Sequence, residues 1–166
     1  MKKTLAILLA FCMIFCISAC SRSGEKNEEP RQEESAVSND TEEKVPLYAK
    51  DIKDGTYNIE VDCNTSMFRV VNCELTVENG KMHAVMTMSG QGFGAVYMGT
   101  GEEALADSED NYIPAVLNEN GEKTFTVPVE ALDMEIDCAA LSVKKNTWYD
   151  HFLTFKSDGI PQDALK

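Results

Sequence analysis

The chain has 166 residues and a formal net charge of −13 at neutral pH, with 28 acidic side chains against 15 basic ones. That excess works against nucleic-acid binding and against lying flat on an anionic membrane, since both demand neutralising cations. It is what simple solubility requires.

Lys2 and Lys3 precede an apolar run from Leu5 to Ile17. A short basic region followed by about 13 apolar residues has the form of a secretory signal. The run is shorter than the about 20 residues a helix needs to cross the hydrocarbon. It ends in Ile17-Ser18-Ala19-Cys20, which resembles the lipobox of bacterial lipoproteins. The resemblance implies cleavage just before Cys20, with the small Ser18 and Ala19 fitting the peptidase groove and the Cys20 thiol taking the lipid. Residues 1–19 are therefore expected to be a signal peptide. The mature chain is expected outside the cytoplasm, lipid-anchored through Cys20 to the outer face of the bacterial cell membrane. Cys12 and Cys16 leave with the signal. Residues 20–47 are Glu-rich, with Ser, Asn, Gln and Pro and almost no large apolar side chain. Such a stretch buries too little surface to offset the entropy of ordering it, so it reads as a disordered acidic tether.

Residues 48–166 read as one domain of about 120 residues, a common domain size. Alternation with period two dominates it, which is the strand signature. In 56–63, Tyr57, Ile59, Val61 and Cys63 point one way. Val71, Cys73, Leu75 and Val77 then alternate against polar neighbours. Glu78-Asn79-Gly80-Lys81 predicts a tight hairpin, because Asn-Gly supplies the positive φ angles of a type I′ turn. The return strand places Met82, Ala84, Met86 and Met88 on one face and His83 on the other. Ser89 to Gly94 is a glycine-rich connection; it lacks the lysine of a phosphate loop and opens no helix. Further strands are predicted at 95–98, 112–117, 124–129, 134–143 and 148–156, with a turn at Asn118 to Gly121. One short helix is predicted over Gly101 to Ala106, capped by Thr100 and closed by Glu103 as a capping box. Together these predict an all-β fold, an immunoglobulin-like β-sandwich of seven or eight strands with one short helix.

Chemistry-bearing patterns are few. There is no nucleophile elbow, no carboxylate pair stands out from the acidic background, and an enzyme is not expected. Met82, His83, Met86 and Met88 suggest soft-metal handling, since thioether and imidazole suit cuprous copper. Strand parity separates His83 from the methionines, so core packing is the better reading of them. Cys63, Cys73 and Cys138 all occupy apolar-face positions; buried free thiols and a single core disulfide both fit. In the last strand Tyr149, His151, Leu153 and Phe155 share one face, and Trp148, Asp150, Phe152 and Thr154 share the other. Both faces are substantially apolar, so this strand covers the core and something further: a loop or helix, or an apolar ligand pocket with a tyrosine hydroxyl at its tip.

Asp54-Gly55-Thr56-Tyr57, Ser66-Met67-Phe68, Leu75 through Lys81, Thr124 through Val129 and Tyr149-Asp150-His151 follow one another in an order that resembles the NEAT (near-iron-transporter) domains of Gram-positive surface proteins. The likeness spans nearly all of 50–157, and it extends to lipoprotein domains of Gram-positive anaerobes. It implies an immunoglobulin-like sandwich that binds haem or haemoproteins, with a pocket between the last hairpin and a short helix near the first strand. It further implies Tyr149 as ligand to haem iron, Ser66 facing a propionate, and Met67 and Phe68 covering the ring. Leu153 stands where the family's haem binders carry a second tyrosine, which leaves a Tyr149 phenolate without its supporting hydrogen bond. Several NEAT domains bind proteins and no haem. The expected function is thus a non-enzymatic surface binding module for a protein partner or haem, with haem relay and copper handling as alternatives.

Overall fold

The alternating segments assemble into two antiparallel sheets in the computed structural model, which describes residues 44–166. The signal peptide, Cys20 and most of the expected tether lie outside the described residues. The strands are β1 (Gly55–Ile59), β2 (Val61–Cys63), β3 (Val70–Glu78), β4 (Lys81–Met88) and β5 (Phe93–Tyr97). The helix α1 (Gly101–Ala106) follows, then β6 (Ile113–Pro114), β7 (Val116–Leu117), β8 (Lys123–Val129), β9 (Glu135–Ser142) and β10 (Trp148–Phe155). The first sheet runs β1-β3-β4-β8-β7 and the second β2-β10-β9-β5-β6. Their facing sides bury Leu75, Met86, Phe125, Val127, Leu153 and Phe155 among others, so the all-β sandwich with one short helix is the observed architecture.

The described residues form ten strands because two predicted strands each divide between the sheets. The 56–63 segment breaks at Glu60, leaving β1 beside β3 and β2 beside β10. The 112–117 segment breaks at Ala115, whose N–H goes to the Gly94 carbonyl at 2.9 Å. Inward parity survives the first crossing, since Ile59 before the break and Val61 and Cys63 after it all pack against the same core; at the second, Ile113 and Ala115 pack on the core but Val116 and Leu117 are both 61% exposed. Val71 departs from its predicted face and is 50% exposed. The register slips between Val70 and Asn72, and that irregularity turns Val70 toward the core in its place.

The local signals hold where they were strongest. Asn79 and Gly80 take φ of 53° and 73° at the β3–β4 hairpin, as a type I′ turn requires. Thr100 Oγ1 accepts from the Glu103 N–H at 3.2 Å, and Glu103 Oε2 accepts from the Thr100 N–H at 2.8 Å. Helix α1 lies against the outer side of β9 and β10. Asp150 Oδ1 accepts from the Gly101 N–H at 2.6 Å, and the Tyr112 hydroxyl donates to the Ala104 carbonyl at 2.7 Å. Tyr112 meets Trp148 edge-on with centroids 4.9 Å apart. The helix is therefore what the outer face of the last strand covers.

The approach of α1 to β10 is close. A Cβ at Gly101 would stand 2.8 Å from Cβ of Trp148 and 3.2 Å from Oδ1 of Asp150, whereas one at Gly90 would meet nothing within 4 Å. Gly101→Ala is expected to cost about 1–3 kcal/mol by forcing the helix off the strand, read as a lower denaturant midpoint. Gly90→Ala is the control and should leave the midpoint in place; equal midpoints for both would contradict this docking.

Candidate functional site

The segment that resemblance assigns to ring covering divides between inside and outside. After β2 the chain turns at Ser66 and Met67 and does not form a helix there. The turn is held by the Thr65 hydroxyl, which accepts from the Met67 N–H at 3.2 Å. Ser66 is exposed and Met67 is 73% exposed, while the next side chain, Phe68, is completely buried. Met67 and Phe68 thus cannot cover one face of a ring together. The cavity beside Met67, shared with Arg69, Met88, Phe93 and Phe125, measures about 20 Å³, which is below the several hundred Å³ of a cofactor site.

Phe68 lies flat on His151, with ring centroids 4.8 Å apart and planes 13° from parallel. Phe93 meets both rings edge-on, at 5.3 Å from Phe68 and 5.9 Å from His151. Leu153, two residues further along β10 on the same face, is fully buried opposite Ile136 and Cys63. Tyr149 is the end of that face. It is half-buried beside the β9–β10 turn, paired with Ala140, and the Lys145 ammonium stands 5.8 Å from its ring centroid. The structure therefore brings Phe68 and Leu153 into the core and leaves Tyr149, Ser66 and Met67 at its margin.

His151 went unassigned in the sequence, although alternation already placed it on the inner face between Tyr149 and Leu153. It is 4% exposed, and neither ring nitrogen has a hydrogen-bond partner. Burial pulls its pKa below the ordinary histidine value, against the smaller opposing influence of Asp150.

The soft-metal pattern resolves as packing. Met82, Met86 and Met88 are buried in the core and His83 is exposed on the other face of β4. Cys73 faces Met86 across β3 and β4, and burial pushes its thiol up to about 12. Cys138 is likewise pushed up to about 12, chiefly by burial. All three thiols of the domain are free. Among the described residues no three His, Cys, Asp or Glu side chains are grouped to hold a metal ion.

A second feature had no local signature. Tyr48, Lys50, Lys81, Met82, Val129 and Glu130 line a groove of about 490 Å³. Three separate segments build it, so only the tertiary structure brings them together. No protein-family model matches the chain, and no curated protein matches it either. The class defined by the fold is an all-β sandwich of two antiparallel sheets with a filled interior.

Neutral His151 ties stability to pH. Its folded pKa lies below the unfolded value of about 6.5, so the unfolded chain takes up the proton first as pH falls. This contribution is complete above about pH 6.5 and is lost below it, by at most about 1.4 kcal/mol per pH unit. In urea titrations between about pH 7 and 5, His151→Phe should show a shallower loss of stability than the parent. Parallel curves would contradict a buried neutral imidazole.

Proposed function

We propose that the chain is an exported lipoprotein whose β-sandwich is a non-enzymatic binding module, of NEAT-like type, for a protein partner at the cell surface. Lys2, Lys3, the apolar run and the Ile17–Cys20 motif support the anchor. Cys20 carries the lipid, the residues between it and Lys44 form the spacer, and the domain stands outside the membrane it is tied to; Lys44 and Leu47, expected in the tether, belong to the domain through Asp158 and Leu132.

The observation that carries the partner reading is apolar surface set among carboxylates on the outer side of the second sheet. Phe152 on β10 is 46% exposed and Leu105 on α1 is 75% exposed. The same side carries Glu102, Glu103, Asp137 and Asp150, all exposed. Apolar anchors inside an acidic surround suit a partner that presents apolar side chains flanked by lysine or arginine. The haem alternative is disfavoured by the burial of Phe68 and Leu153, because a porphyrin seated against Tyr149 would need the aromatic packing beside it to open.

A photoreactive phenylalanine analogue at position 152 of the full chain, activated on intact cells, tests this reading. A discrete adduct is expected, and Leu105→Asp should remove it. The same analogue at Asn120, in the exposed turn before β8, should give none. No adduct at 152, or the same adduct from both positions, would overturn the proposal.

A further inference from the structure

The groove beside Tyr48 reverses the charge of the molecule around it. In a chain of net charge −13, its lining contains Lys50 and Lys81 against the single carboxylate of Glu130. Glu78 faces Lys81 across the β3–β4 hairpin, yet neither lysine makes an ion pair among the described residues, where the ion pairs are Lys44–Asp158 and Lys156–Asp62. The floor is apolar: Met82 and Val129 are each 5% exposed. Tyr48 forms one wall, with the Lys50 ammonium 5.6 Å from its ring centroid.

The wall is fixed on both flanks. On one side Leu47 and Leu132 exchange backbone hydrogen bonds of 3.1 and 2.8 Å. On the other, the Lys53 N–H donates to the Ala164 carbonyl at 2.7 Å and the Lys166 N–H to the Asp51 carbonyl at 2.9 Å. Between them, the Tyr48 N–H donates to Asp51 Oδ2 at 3.1 Å and starts a single 3-10 turn over Ala49–Asp51. A groove whose wall is pinned in this way is already formed before anything enters it, which lowers the entropic cost of binding. Its volume of about 490 Å³ lies in the range of small-molecule sites.

We propose that this groove binds a small amphiphilic anion. An acidic head, carboxylate or phosphate, sits between the Lys50 and Lys81 ammonium groups, which act as point charges. A flat apolar body lies over Met82 and Val129 against the Tyr48 ring. The site is separate from the acidic outer surface of the second sheet, and either can fail without the other.

Fluorescence polarisation with the full chain tests it, using 2-naphthoate and 1-naphthyl phosphate as the two heads and 2-naphthylmethylammonium as a cation of similar size. Saturable binding of at least one anion and none of the cation is expected. Lys50→Glu with Lys81→Glu should weaken that binding by at least about tenfold with no change in unfolding midpoint, since both side chains are exposed. Tyr48→Ala, also at an exposed position, should weaken it with both lysines retained. The proposal is overturned if neither anion saturates, if the cation binds equally well, or if both sets of substitutions leave anion binding unchanged.

Discussion

The Phe68–His151 stack decides what kind of sandwich this is. One ring comes from the turn after β2 and the other from the middle of β10, and Phe93 closes on both from β5. The two sheets could have diverged at this end to leave a slot. Phe68 fills that end instead, packing on His151 and Phe93 of the second sheet and reaching Phe125 of the first with ring centroids 6.4 Å apart, each such contact contributing about 0.5–1.5 kcal/mol beyond the area it buries. The cost of placing an imidazole there, with both nitrogens unpartnered, is accepted within that packing. With the interior filled, the outside of the sheets is the surface left for the partner proposed above.

Strand β10 makes that division possible. Its inner face supplies His151, Leu153 and Phe155 to the core, and its outer face receives α1 through Trp148 and Asp150. Only Phe152 on that outer face projects as a large apolar side chain into solvent. The groove beside Tyr48 belongs to other elements, the hairpin end of β4, the end of β8 and the segment entering the domain. Under the proposed lipoprotein reading, the anchored domain would display two chemically distinct surfaces, one acidic and one locally basic.

Much of the fold was legible because it rests on short-range rules. Period-two alternation, the Asn79-Gly80 turn and the Thr100–Glu103 box are properties of a few adjacent residues, and each appears where it was expected. Alternation could not reveal the sheet crossing at Glu60, because the strand that changes partners there keeps its inward parity; at Ala115 the inward parity is lost, and β7 leaves both Val116 and Leu117 exposed. Val71 was misplaced for the converse reason: one irregular residue shifts parity without any mark in composition. The candidate site was less legible. Met67 and Phe68 read as neighbours with one purpose, and a tight turn sends them to opposite sides of the surface. The doubly apolar last strand read as lying under a loop or helix in preference to lining a pocket, and the docking of Gly101 on Trp148 shows which element covers it. Lys50, Lys81 and Glu130 are far apart in sequence, so no motif could announce their groove.

The filled interior is tested most directly by titrating haem into the full chain while following absorbance in the Soret region, beside a Tyr149→Phe variant. With Phe68 and Leu153 packed inside, the expected result is no saturable shift in either protein. A saturable one-to-one Soret shift that changes or disappears in Tyr149→Phe would contradict it, and would mean that the Phe68–His151 packing opens to admit a haem ligated by Tyr149.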